Sequence, residues 1–161
     1  VGDHSGQPVD VVTALQGKTI GLYFSAMWCP PCRQFSPVLR DFYRSVNSPE
    51  KQLEIIFISC DLDEEQQQYY EKHVHDLWLH IPYKHQGLMK DLKRLFRCWA
   101  GPKDAAELGV DDHKHGIPTF VLLNPDGSVI DPAGSEIVRG WYMQMVQAER
   151  QRMMQMEREE Q

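Results

Sequence analysis

Two cysteines stand three apart in Trp28-Cys29-Pro30-Pro31-Cys32, and that spacing is the strongest chemical signal in the chain. Thiols this close close a disulfide without moving the backbone. Thr19 to Ser25, just before them, is β-branched and aromatic and reads as a buried strand. From Pro31 a helical period begins, with Phe35, Val38, Leu39, Phe42, Tyr43 and Val46 on one face. The pair therefore falls at a strand-to-helix junction, where free N–H groups and the positive end of the helix dipole favour a thiolate. Cys29, at the helix start, is expected to face solvent and act as nucleophile. Cys32, one turn further in, is expected to be covered and to attack a mixed disulfide on Cys29. The two prolines stiffen the short ring.

Three neighbours carry a functional and a plain reading side by side. Trp28 offers a flat surface that screens the sulfur, or packs in the core. Arg33 stabilises a thiolate or an acidic partner, or is a surface residue of an amphipathic helix. Pro118 opens a strand in Ile117-Pro118-Thr119. A cis bond there would set the Ile117 backbone beside the cysteines, ready to pair with a substrate chain. Spacing alone leaves cis and trans equally open.

Half of a zinc site is the competing reading of the cysteine pair, but it wants a second close pair. Cys60 and Cys98 are too far apart in sequence to form one, and each reads as a buried, inert thiol. His73-x-His75 and His113-x-His115 read as solvated surface, so no metal is expected.

Further elements must position the pair. Val9 to Leu15 alternates loosely and ends in a turn at Gly17. Leu53 to Ser59 is nearly continuously apolar and suits a strand buried on both faces. Asp61 or Asp63 caps the next helix, which runs to about His75. Trp78 to Tyr83 is extended, Gly87 to about Trp99 is helical, and Gly101 to His115 is mostly polar loop with one short turn around Ala105 to Leu108. Phe120 to Leu123 is a strand, Asn124 to Gly127 a turn, and Val129-Ile130 its hairpin partner. A final helix becomes polar beyond Glu149. The expected architecture is α/β, a central mixed β-sheet with helices on both faces and the cysteines at the carboxyl edge of its strands. Residues 1–148 make one domain and 149–161 a polar helical tail.

The 161 residues, 42% hydrophobic and 25% charged, suffice for one real core. A net charge of −6 argues against nucleic acid or anionic membrane as the partner. No apolar run approaches the about 18 residues of a membrane span. Val1 to Gln7 carries no basic segment of a secretory signal. A cytoplasmic monomer is the expectation, although a start at Val1 without methionine leaves a trimmed presequence open.

With these residues in place, the chain resembles the thioredoxin superfamily, specifically its tryparedoxin and nucleoredoxin branch. The resemblance rests on Gly17 to Arg33, on Phe35 to Leu39 with Pro37, and on Ser59-Cys60-Asp61. It continues through Trp78 to Tyr83, Gly116 to Thr119 and Pro125 to Gly127. It implies the thioredoxin fold and a thiol-disulfide oxidoreductase with a redox-active Cys29–Cys32 disulfide and no other cofactor. Substrate would contact Trp28, Pro30, Arg33, Ile117 and a cis Pro118. Electrons would come from a low-molecular-weight thiol, trypanothione or glutathione. They would pass to disulfide-containing proteins, a peroxiredoxin-type peroxidase among them. Nucleoredoxins act instead on regulatory protein partners.

The chain departs from the branch at Met27, at His80, in an insertion between Phe96 and Gly116, and after Ile130, where arginines that help hold an anionic reductant are missing. The insertion is expected to rim the client groove as a polar loop. Many thioredoxins place a buried Asp beneath the pair; here Tyr23 holds that place and is a poor base at neutral pH. Asp61 and Asp63 are the nearest candidates to replace it.

Overall fold

The computed structural model describes residues 1–160. Its sheet has five strands in the order β3-β2-β1-β4-β5. They are β1 (Thr19–Ser25), β2 (Leu53–Ser59), β3 (Leu79–His80), β4 (Thr119–Leu123) and β5 (Val129–Asp131). β1 runs parallel to β2, and β2 to β3; β4 is antiparallel to β1 and β5 to β4. The expected mixed α/β sheet is therefore present.

Strand alternation sorts the side chains to two faces. Tyr23, Leu53, Ile55, Phe57, Phe120 and Leu122 pack on Phe35, Leu39 and Tyr43 of α2 (Pro30–Val46) and Val138 of α6 (Gly134–Glu159). Ile20, Leu22, Phe24, Ile56, Ile58 and Val121 meet Met89 of α4 (Gln86–Phe96) on the other. The third residue of β1 must be glycine: a Cβ on Gly21 would sit 2.3 Å from the Phe120 ring, which crosses over it.

The helices refine the sequence reading. Val9 to Leu15 holds a short helix, α1 (Val11–Leu15), capped by Asp10. The helix α3 (Glu64–His73) is capped by Asp63, whose side chain accepts from Gln66 N–H; Asp61 is employed elsewhere. The polar stretch read as loop contains a helix, α5 (Pro102–Leu108), with Pro102 in its first turn and a positive-φ glycine at each end, Gly101 (φ 93) and Gly109 (φ 106). The segment between Phe96 and Gly116 is clipped at its neck: Cys98 forms a β-bridge with His115, and the Arg97 carbonyl accepts from both Lys114 and His115 N–H. Helix α6 continues past Glu149 without a break, and its last two turns are exposed on all sides.

Candidate active site

Cys29 is the N-cap of α2. Its backbone is extended (φ −93, ψ 110), and its Sγ accepts the Cys32 N–H at 3.4 Å. Pro30 and Pro31 lie in the first turn, where a missing N–H leaves nothing unpaired, and both are exposed. The Cys29 thiol also points to the Ile117 carbonyl oxygen, 3.9 Å away. The Ile117–Pro118 peptide is cis, as is Ser48–Pro49. Both cysteines are free thiols.

The expectation that Cys29 faces solvent needs correction. It is 5% exposed, against 0% for Cys32, because Trp28 and Ile117 pack over the cluster that it forms with Ala26, Cys32 and Cys60. Cys29 is the more accessible of the pair, reached through a narrow window rather than displayed.

Cys32 rests on hydroxyls. Burial first, and the neighbouring Cys29 second, push its thiol up to about 12; the Ser25 hydroxyl and the Ala26 N–H pull the other way. Ser25 Oγ bonds the Tyr70 hydroxyl at 2.6 Å, which bonds Ser36 Oγ at 2.7 Å, which bonds the Tyr23 hydroxyl at 2.7 Å. Tyr23, in the place of the usual buried acid, also donates to the Cys32 carbonyl at 3.4 Å. Burial raises Tyr23 well above its ordinary value and Tyr70 to about 12. They are donors at neutral pH, not bases.

Neither candidate carboxylate reaches the Cys32 sulfur. Asp61 is buried and accepts the Met27 N–H and the Ser59 hydroxyl, each at 2.7 Å. It ties the end of β2 to the loop before Cys29. Asp63 is an exposed helix cap.

Of the remaining site residues, Trp28 is half-buried, and its indole N–H donates to the Cys60 carbonyl at 3.0 Å. Arg33 is turned away from the sulfurs: its guanidinium donates to the Met27 carbonyl at 2.8 Å, a brace for the loop rather than a partner for a thiolate. Burial pushes Cys60 far up and Cys98 to about 12. The expectation of a solvated His75 is corrected too. Its ring packs between Tyr70 and Phe57, with centroids 4.0 and 4.4 Å away, and neither ring nitrogen has a partner. Among the described residues, no three His, Cys, Asp or Glu side chains gather as a metal site.

Comparison with known proteins decides the family. Residues 17–129 match the family model described as Thioredoxin-like. The chain belongs to the thioredoxin-like family. It is 36% identical over 132 residues to nucleoredoxin of Mus musculus, covering 81% of this chain and 26% of that protein. Probable nucleoredoxin 3 of Oryza sativa subsp. japonica is 35% identical over 129 residues, covering 79% and 23%. The thioredoxin-like chain thus spans about a quarter of the length of the curated relatives that it matches. Among solved structures, thioredoxin from Wuchereria bancrofti superposes with a TM-score of 0.71 at 35% identity, covering 86% of this chain and 84% of that one. Tryparedoxin II from C. fasciculata gives 0.62 at 33%, covering 80% and 73%. These likenesses establish the thioredoxin fold, oxidoreductase kinship and the tryparedoxin and nucleoredoxin branch. No helix among the described residues is long and apolar enough to cross a membrane.

Ser25 and Tyr70 were not legible as site residues. Ser25 ends β1 one step before the active loop, which is a local hint. Tyr70 arrives from α3, 45 residues away in sequence, and nothing local marks it.

Proposed function

We propose that the chain is a protein-disulfide reductase in which Cys29 attacks and Cys32 resolves. The observation that carries this reading is the asymmetry of the two thiols. Cys29 occupies the helix N-cap with an N–H aimed at its sulfur and the Ile117 carbonyl alongside, whereas Cys32 is sealed and strongly protonated. The Cys29 thiolate attacks one sulfur of a client disulfide. The S–S bond breaks, a mixed disulfide forms, and the departing client sulfur takes up a proton. Cys32 then loses its proton and attacks Cys29 Sγ, releasing the second client thiol and leaving a Cys29–Cys32 disulfide. Two thiol equivalents from a low-molecular-weight donor restore the dithiol.

The asymmetry also gives the order of events. Part of what holds the Cys32 proton is the neighbouring Cys29 sulfur. Once Cys29 is bonded to client, that sulfur carries no charge, and Cys32 ionises more readily. The resolving thiol is thereby suppressed before attack and released after it.

A reductant of the trypanothione or glutathione class fits this cycle, and a solved tryparedoxin II, complexed with glutathionylspermidine, supports that choice. A peroxiredoxin-type peroxidase is the proposed client, and a reducing compartment, the cytoplasm, the proposed location of a monomer. The second reading, a nucleoredoxin-like binding module with secondary redox activity, is favoured by the 36% identity to nucleoredoxin. Cys32→Ser separates them. In a reductase it accumulates a mixed disulfide between Cys29 and client, seen as a mass adduct, while Cys29→Ser forms none and turns nothing over. Near-normal insulin reduction by Cys32→Ser overturns the mechanism. Failure of the wild type to reduce insulin leaves the binding module as the reading.

A further inference from the structure

The insertion does not hang from the fold as a loop; it is bolted to α4. Lys93 on α4 and Asp104 on α5 form an ion pair of 2.9 Å, with side chains only 4% and 3% exposed. One turn along, Lys90 and Glu107 pair at 3.3 Å. The positions advance on one helix as they recede on the other, so the two pairs lock α5 antiparallel to α4. Lys103 adds bonds to the Tyr83 hydroxyl at 2.8 Å and the Gln86 amide oxygen at 2.9 Å. Asp104 also accepts the Ala100 N–H at 3.3 Å, which draws the start of α5 inward.

That start is Gly101, and it lies against the active site. A Cβ on Gly101 would stand 2.7 Å from Cζ2 of Trp28. The indole is thus held at two places, by its N–H on the Cys60 carbonyl and by the Gly101 backbone against its six-membered ring. Trp28 in turn packs over Cys29.

We propose that Gly101, pinned by the buried Lys93–Asp104 pair, is a positioning residue for Trp28, and that α5 is the wall which sets how protein disulfides approach Cys29. This rests on the reductase reading above. The buried pair suits the role. An ion pair sealed from water adds little net stability over an apolar pair, but it fixes one register between two helices, because a slip strands both charges. Small disulfides need little of that wall, whereas a folded client must lie along it.

Gly101→Ala tests the proposal, and Gly109→Ala is its control. The two glycines cap opposite ends of α5 in nearly the same backbone conformation (φ 93, ψ 169 and φ 106, ψ 154), so alanine strains both alike. A Cβ at 109 meets only the flexible Asp112 side chain, at 3.1 Å. Two readouts are taken: the Trp28 indole N–H resonance, and steady-state kinetics with a protein disulfide and with a small one. In Gly101→Ala the resonance moves and KM for the protein disulfide rises about fivefold, with kcat changed far less. KM for the small disulfide stays within about twofold. Gly109→Ala shows neither effect. Equal effects in the two variants, or none in Gly101→Ala, overturn the proposal. Should Gly101→Ala not fold, Gly101→Ala/Trp28→Phe must fold, since the smaller ring vacates the clash; failure of both overturns it as well. A wild type without turnover overturns the reductase reading, and the indole resonance then decides the Gly101–Trp28 contact alone.

Discussion

Ser25 Oγ, on the last residue of β1 and four residues before Cys29, lies 2.6 Å from the Tyr70 hydroxyl. Through this pair the buried Cys32, the proposed resolving thiol, has polar groups nearby although neither candidate carboxylate reaches it. The Ser25 hydroxyl lowers Cys32 against the rise that burial imposes, and Tyr70 holds that hydroxyl in place.

Ser25→Ala removes the donor, and Cys32 climbs further. Resolution of a preformed mixed disulfide at pH 7 slows about three- to tenfold, the worth of one hydrogen bond of about 0.5–1.5 kcal/mol. The rate still rises with pH, because the thiolate remains the minor form across the neutral range. Single-turnover kinetics check this, and an unchanged rate removes Ser25 from the mechanism. Tyr70→Phe leaves buried Ser25 and Ser36 hydroxyls short of a partner and shows mainly as lost stability, about 1–3 kcal/mol in urea unfolding.

His75 makes the fold acid-sensitive. Burial depresses its imidazole from 6.5 to about 3, so the unfolded chain binds the proton more tightly. The stability involved is complete above pH 6.5 and is lost as pH falls toward 3. At pH 5 the loss is about 2 kcal/mol. Burial raises Glu71 to about 7, which acts in the opposite sense, its share being present below pH 4.5 and lost as pH rises through 7. The comparison is therefore wild type against His75→Phe, in which Glu71 is common to both. The variant gains about 2 kcal/mol relative to wild type between pH 7 and pH 5. Parallel stability curves would contradict the assignment.

Asp61 is a tie, not a base. Asp61→Ala strands the Met27 N–H and the Ser59 hydroxyl and lowers stability by about 1–3 kcal/mol. Asp61→Asn keeps an acceptor for Met27 and loses less. In both, the pH at which resolution accelerates stays where the wild type has it. A displaced pH profile in Asp61→Asn would restore the carboxylate to a proton-transfer role.

Among the described residues, truncation after Arg150 removes only exposed chain, nearly all of it helix. Stability is expected to change by less than about 0.5 kcal/mol, and dithiothreitol-driven insulin reduction to persist. Loss of either would mean that the tail touches the domain in solution.

Where local signals agreed, the sequence was legible. β1, β2 and β4 are dense runs of β-branched and aromatic residues, and the cysteine pair announces itself between a strand and a proline-led helix. The cis Pro118 was legible only through resemblance. What stayed hidden depends on partners distant in sequence. Helix α5 buries a charge, Asp104, rather than an apolar stripe, so no hydrophobic period marks it; its signals were only Gly101-Pro102 and Gly109. His75 follows a surface-like His73, yet the chain turns it into an aromatic cage. The polar tail was legible as helical because Gln, Met, Glu and Arg are good helix formers, and α6 runs through them.

The clip between Cys98 and His115 has a consequence for how this fold diversifies. Chain leaves and returns at one point, so the closure entropy of whatever lies between is nearly indifferent to its length. The site behaves as a socket: exchanging the segment between 99 and 114 for another that closes on the same bridge, and that again buries an acid against Lys93, would refit the wall beside Trp28 while the two cysteines keep their places at the start of α2.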